Sequence, residues 1–85
     1  MKPIVLVGHL HACPIHGNGT VETGACSAAV GGRAIARVGD RTSCGALIET
    51  GAEHTLIEGQ PAARLGDKTS HGGTLIEGEP RWSVG

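Results

Sequence analysis

A ten-residue segment occurs twice in this chain, 27 residues apart, and this repeat limits the folds that the chain can adopt. Residues 36–45 read ARVGDRTSCG, and residues 63–72 read ARLGDKTSHG. Cys44 therefore occupies the position that His71 occupies in the second copy, and both residue types are common zinc ligands. A repeat that keeps its frame but exchanges Cys for His suggests one metal ion on a symmetry axis, with one ligand from each copy.

The same spacing continues to the end of the chain and defines three copies. Glycines recur at 24, 51 and 78, and β-branched residues recur at 30, 57 and 84. The third copy stops at residue 85, half-way through the unit, and its missing half lies at the N-terminus, where residues 3–8 align with residues 61–66. Because the repeat needs both ends of the chain to complete its last unit, we predict a closed structure in which the termini pair.

We therefore predict one domain, residues 1–85, with the organisation of a circularly permuted three-fold repeat. Its units span residues 24–50, 51–77, and 78–85 completed by 1–23. Apolar runs beside glycines indicate β-hairpins and are too short for helices. The predicted hairpins join residues 55–57 to 61–65 through Glu58-Gly59, 28–30 to 34–38 through Gly31-Gly32, and 82–84 to 3–7. The expected fold class is all-β.

The composition allows only a small core. The chain has 85 residues, 15 glycines, one Trp and no Phe or Tyr. A domain of this size usually needs stabilisation beyond its core, which a metal ion or a partner can supply. For Trp82 we favour packing in the core over contact with a partner. The net charge of −1, with scattered Lys and Arg, argues against nucleic acid as the main partner.

Three cysteines, at 13, 26 and 44, cannot all pair within one chain, and an odd count with His nearby favours a metal over a disulfide framework. Cys26 aligns with Glu53 and Pro80, so we expect a buried or half-buried thiol without a ligand role. The apolar run at residues 4–8 is too short for a signal peptide or a membrane span. We expect synthesis in the cytoplasm and, if the protein is exported, a route that reads no such signal.

The frame of the repeat identifies the first metal ligands and leaves the others open. Cys44 and His71 are equivalent and both follow Thr-Ser. The corresponding N-terminal loop is four residues longer and can be aligned in two ways. Aligned from the left, Cys13 matches Cys44 and His71; aligned from the right, with a gap, His16 matches His71. His9 aligns with Asp40 and Asp67, which favours a role in a turn or behind the ligands.

Several motifs in their common frame resemble the PAAR-repeat proteins of the bacterial type VI secretion system. The family takes its name from a Pro-Ala-Ala-Arg tetrapeptide, which stands at residues 61–64, with AIAR at 34–37 as a degenerate copy. The resemblance also covers GHLHACPIHG at 8–17, both Gly-Asp-x-Thr-Ser turns, and TLIEG at 74–78. It extends over essentially the whole chain.

The resemblance implies a function as well as a fold. Proteins of this family are small conical β structures that cap and sharpen the trimeric valine-glycine repeat spike protein, one tip per trimer, with a structural zinc ion near the apex. The tip crosses a target-cell membrane when the secretion sheath contracts, and effectors can travel with it. A pseudo-three-fold β-hairpin prism fits this role, because one chain with three equivalent hairpins can meet a homotrimer. The implied location is the bacterial cytoplasm before firing, then the target cell or the medium.

The family pattern of three histidines and one cysteine also suggests a complete ligand set. A tetrahedral zinc site takes four donors. The set implied by the resemblance is His11, His16, Cys44 and His71, with Cys13 and His9 in reserve.

Two other functions are compatible with parts of the sequence. Cys13 near His16 could form a nucleophilic pair, but so small a chain has little bulk for the concave site that catalysis usually needs. The repeat runs from residue 3 to residue 85, so we expect no attached toxin domain and no enzyme activity. A free-standing zinc-stabilised adaptor for another trimeric partner remains the alternative.

Overall fold

The computed structural model describes residues 2–15 and 17–84, and these residues form strands and turns without a helix. The fold class is therefore all-β, as predicted. Nine strands are present in the described residues: β1 (Lys2–Ile4), β2 (Leu10–Cys13), β3 (Gly17–Thr20), β4 (Ala29–Val30), β5 (Arg33–Ala34), β6 (Leu56–Ile57), β7 (Gln60–Pro61), β8 (Thr74–Leu75) and β9 (Glu79–Val84). No helix that could cross a membrane occurs in these ranges.

The two ends of the chain pair with each other. Strand β1 runs antiparallel to β9, with Lys2 opposite Val84 and Pro3 opposite Ser83, and the register shifts before Ile4. This pairing confirms the predicted closure by the termini. The other predicted hairpins are also present, as β4 with β5 and as β6 with β7. A three-stranded sheet in the order β3-β2-β8 joins the N-terminal loop to the unit of residues 51–77.

The two complete hairpins turn through a pair of residues with positive φ. Gly31 and Gly32 have φ of 59° and 83°, and Glu58 and Gly59 have φ of 53° and 86°. A two-residue turn with both φ values positive matches the right-handed twist of the flanking strands. Glu58 is unusual there because it is not glycine. Its carboxylate accepts hydrogen bonds from the backbone N–H and the hydroxyl of Ser27, at 2.7 and 2.6 Å, which stabilise this conformation.

Three equivalent segments meet in a closed ring of backbone hydrogen bonds. The N–H of Val5 donates to the carbonyl of Ala63, that of Ala63 to Ala36, and that of Ala36 back to Val5, at 3.0, 2.9 and 2.9 Å. All three residues are fully buried. Because each segment both donates and accepts once, none of these buried backbone groups lacks a partner in the ring.

The surrounding contacts repeat the same three-fold pattern. The N–H groups of Gly8, Gly39 and Gly66 donate to the carbonyls of Val21, Ile48 and Leu75, respectively, at 2.8 to 2.9 Å. The N–H groups of Val21, Ile48 and Leu75 donate in turn to the carbonyls of His9, Asp40 and Asp67. In these two sets of bonds, equivalent positions of the three units have equivalent backbone partners.

The core consists of two apolar clusters. The ring cluster contains the three ring residues together with Val21, Ile48 and Leu75. The hairpin cluster contains residues next to the ring residues, namely Ile4, Leu6, Ile35 and Ala62, with Val30, Ile57 and Val84 packed against it. Each unit thus runs from a hairpin, through the ring, into a loop. We refer to the two ends as the hairpin end and the loop end.

Two sequence-based expectations about burial are wrong. Cys26 is exposed, and its N–H donates to the Glu58 carboxylate at the surface. Trp82 lies in β9 with 55% of its surface exposed, so it does not pack in the core. Both residues lie at the hairpin end, where each unit has a two-stranded ribbon rather than a closed sheet. The molecule measures 29 × 24 × 23 Å, and the conical shape stays a prediction.

Gly51 should tolerate no side chain. A Cβ there would lie 2.7 Å from the carbonyl oxygen of Ala62 and 3.0 Å from side-chain atoms of Pro61 and Val38. We expect Gly51→Ala to lower the free energy of unfolding by about 1–3 kcal/mol because the buried backbones must move apart. Urea denaturation measures this change. Glu53→Ala, at an exposed position nearby, serves as the control, and equal stability of the two variants would contradict the prediction.

Candidate metal centre

Three metal-binding side chains come together at the loop end. The ligand atoms of Cys13, Cys44 and His71 all lie within 4.8 Å of one another. The Sγ atoms of Cys13 and Cys44 are 3.8 and 3.7 Å from Nδ1 of His71. Cys13 is buried, and the other two side chains are partly exposed. The three residues occupy the same position in the three units when the N-terminal loop is aligned from its left side.

The distances fit a tetrahedral metal ion. With Zn–S of about 2.3 Å and Zn–N of about 2.0–2.1 Å, the edge between a sulfur and a nitrogen ligand of a tetrahedron is about 3.6 Å. The two S–N distances of 3.7 and 3.8 Å are close to this edge. The donor set of two thiols and one imidazole is typical of ions such as zinc. These residues could therefore bind one metal ion.

Two of these three side chains are presented by identical turns. The N–H of Gly45 donates to the carbonyl of Thr42, and the N–H of Gly72 donates to that of Thr69, both at 3.0 Å. Each turn ends at a residue with positive φ, and glycine adopts this conformation more readily than any other residue. Cys44 and His71 precede these glycines, so the repeated Thr-Ser-x-Gly sequence places both side chains in the same way. Cys13 reaches the group from the end of β2.

His11 lies beside this group. Its imidazole is fully buried, its Nε2 lies 2.7 Å from the Thr69 hydroxyl, and its Nδ1 lies 4.0 Å from the Cys44 sulfur. A hydrogen bond from one ring nitrogen commonly orients a metal-binding histidine, leaving the other nitrogen for the metal. His11 therefore has the environment of a ligand, although the tight cluster contains Cys13 in its place. His16 lies outside the described residues.

His9 takes part in a turn. Its Nδ1 accepts a hydrogen bond from the N–H of Leu6 at 3.0 Å. Asp40 and Asp67 accept the equivalent bonds, from the N–H groups of Arg37 at 2.8 Å and Arg64 at 2.6 Å. The imidazole thus replaces a carboxylate in the third unit. Burial, followed by the positive charge of Arg33, lowers the pKa of His9, which favours the neutral form that can accept this bond.

The same two aspartates hold the arginines of the repeat. Asp67 contacts the Arg64 guanidinium at 3.1 Å, and Asp40 contacts that of Arg37 at 3.2 Å. In these two units, an Arg–Asp ion pair therefore stabilises the turn directly before the loop that carries Cys44 or His71.

Cys44 is poised to act as a thiolate. The hydroxyl of Thr42, 3.3 Å from Sγ, is the main cause that lowers the pKa of Cys44, to about 5. The backbone N–H of Ala46, His71 and Cys13 lower it further, against the opposing effect of burial. A thiolate is the form that binds a metal. Sequence reasoning missed Thr42 and Thr69 as partners of the site; their presence in both copies of the repeat was the available signal.

The fold and the cluster define a small all-β repeat domain with a candidate metal centre. The family model described as PAAR motif matches the chain twice, over residues 1–50 and over residues 47–77. The chain therefore belongs to the PAAR-motif family. No curated protein matches it.

The pKa of Cys44 can be tested by alkylation of the metal-free protein. In a Cys26→Ser background, iodoacetamide should modify Cys44 with a rate that rises through pH of about 5, because the thiolate dominates above its lowered pKa. Thr42→Val removes the main stabilising hydroxyl and should shift this midpoint to higher pH. Peptide mass spectrometry measures the rate at each pH.

Ser43→Ala is the matched control, because it removes the neighbouring hydroxyl, which contacts the N–H of Thr20. The prediction fails if Ser43→Ala moves the midpoint as far as Thr42→Val does.

Proposed function

We propose that this protein is a non-enzymatic spike-tip protein of a type VI secretion system. In this role it caps and sharpens the trimeric valine-glycine repeat spike and helps it to cross a membrane and deliver effectors. Membership of the PAAR-motif family supports the proposal. The single observation that carries it is the closed ring of Val5, Ala36 and Ala63, because it gives one chain three nearly equivalent faces.

The hairpin end has the features of an interface with a trimer. The ribbons β4-β5 and β6-β7 are two-stranded, so their outer edges carry backbone groups that strands of a partner could pair with. Leu56 in β6 is 60% exposed and Trp82 in β9 is 55% exposed. Aromatic and apolar side chains at such positions are typical anchors of protein interfaces. We propose that one tip binds one trimer through this end.

The loop end is proposed to hold one structural zinc ion. Cys44 and His71 are the first two ligands, on the basis of the repeat and of their distance. Cys13 completes the tight group and, by geometry, takes precedence over its reserve place in the sequence-based set. The fourth ligand is His11 or His16. An ion held by these residues would link three segments that are distant in sequence, which stabilises a domain with so small a core.

We propose a structural role for this Cys–His group. The S–N distances of 3.7 and 3.8 Å match the edge of a tetrahedral metal site. We propose a location in the bacterial cytoplasm before firing, and in the target cell or the medium afterwards.

The alternative proposal is a free-standing zinc-stabilised adaptor for a different trimeric partner. The three-fold ring supports it equally, because any homotrimer could use the same faces. Binding that is restricted to a valine-glycine repeat trimer separates the two proposals.

We expect the purified protein to contain one zinc ion per chain and to depend on it for stability. His71→Ala should reduce the zinc content and lower the free energy of unfolding by about 2–4 kcal/mol, because one ligand of the proposed metal ion is lost. His54→Ala, at an exposed histidine, is the matched control. Elemental analysis and thermal melts measure both effects. A preparation made without chelator that holds no transition metal would rule out the metal centre.

We expect one chain to bind one trimeric spike trunk. Light scattering coupled to size-exclusion chromatography measures the mass of the complex, and three tips per trimer would contradict the proposal. Trp82→Ala should weaken binding without lowering stability, because the side chain is exposed. Leu47→Ala, which changes an exposed apolar side chain away from the hairpin end, should bind like the unchanged protein.

A further inference from the structure

Two cysteine thiols lie together within the candidate metal centre, and their arrangement has a chemical consequence of its own. We propose that Cys13 and Cys44 form an intramolecular disulfide when an oxidant of the peroxide class reaches them, and that this disulfide and metal binding exclude each other. The second half rests on the proposed metal centre. The first half concerns the thiol pair alone.

The fold brings the two sulfur atoms close together. They lie within 4.8 Å of each other, although the residues are 31 positions apart. Cys13 ends a strand of the N-terminal loop, and Cys44 lies in a turn that belongs to another unit. A disulfide requires the sulfurs to approach from this separation to the bond length of about 2.05 Å.

Exposure determines which sulfur reacts first. Cys13 is 4% exposed, whereas Cys44 is partly exposed. The Cys44 thiolate therefore attacks the O–O bond of hydrogen peroxide and becomes a sulfenic acid, with release of one hydroxide, which takes up a proton as water. The buried Cys13 sulfur then attacks the sulfenic sulfur, loses its proton and expels a second hydroxide, which takes up that proton as water. The two thiols are oxidised by two electrons, the peroxide is reduced, and one S–S bond and two waters form.

The thiol of Cys26 can be compared with the Cys13–Cys44 pair in the same protein. Cys26 is exposed, lies at the hairpin end, and is not part of the cluster. With Cys13 and Cys44 paired, Cys26 can form a disulfide only with another molecule. Oxidation of the protein should thus give two distinguishable products: a link within the chain and a link between chains.

The link within the chain would change what holds the loops together. A metal ion bound to Cys13, Cys44 and His71 connects three segments. The disulfide connects only the segments of Cys13 and Cys44. Because it uses both sulfurs, neither can bind a metal ion together with His71. Peroxide would thereby convert a metal-held loop end into a covalently linked pair of loops with a separate third loop.

The test uses the full chain with Cys26→Ser. The protein is treated with hydrogen peroxide, both as purified and after removal of metal with a chelator. We expect the intact mass to fall by about 2 Da, reversibly with a thiol reductant, and digestion to yield one peptide that joins residues 13 and 44. Released zinc, followed with a colorimetric chelator, should appear in step with the disulfide. The Cys13→Ser, Cys26→Ser variant should instead gain oxygen at Cys44 and form no link within the chain.

Each of the other outcomes of this experiment contradicts one part of the proposal. Gain of oxygen at both sulfurs without a link, in either preparation, overturns the thiol pair. A disulfide in protein that keeps its full zinc content overturns the mutual exclusion. Protein that contains no metal as purified but forms the link upholds the thiol pair and instead refutes the proposed metal centre, so the two failures are distinguishable.

Discussion

The ring of backbone hydrogen bonds among Val5, Ala36 and Ala63 is the constraint on which the rest of this structure depends. Three strands can meet around one axis only if their backbones come close, and this requires small side chains at the meeting point. Two of the three are alanine, and all are fully buried. The third segment comes from the N-terminus, where β1 pairs with β9 directly before Val5. The pairing of the termini and the ring therefore both use the first five residues.

Each residue of the Pro-Ala-Ala-Arg tetrapeptide has a separate task in this arrangement. The carbonyl of Pro61 accepts the N–H of Val38, and Pro61 ends β7 opposite Leu56. Ala62 fills the hairpin cluster and Ala63 the ring. Arg64 pairs with Asp67, which holds the turn before the ligand loop. The four residues of the tetrapeptide thus connect the hairpin end of one unit to its loop end.

The sequence predicted most of the fold because the repeat fixes which residues are equivalent. It identified the three hairpins, the terminal pairing and the turn position of His9, all of which depend on backbone position. It failed for Cys26 and Trp82, because equivalence between units says nothing about burial where the hairpins are two-stranded ribbons. It also could not decide between Cys13 and the histidines near it. The N-terminal loop carries four extra residues, so the 27-residue spacing does not determine which residue of this loop is equivalent to Cys44 and His71.

That insertion has a physical reason if one ion lies on the three-fold axis. The three units provide three donors, at positions 13, 44 and 71, whereas tetrahedral coordination requires a fourth. The fourth donor must break the symmetry, so it has to come from a position at which only one unit carries a donor. His11, two residues before Cys13, and His16, three residues after it, are such positions. A repeat with three identical loops would provide no fourth donor. We therefore expect the three-fold symmetry of this chain to be lost in the loops around the proposed metal ion and kept in the ring of backbone hydrogen bonds.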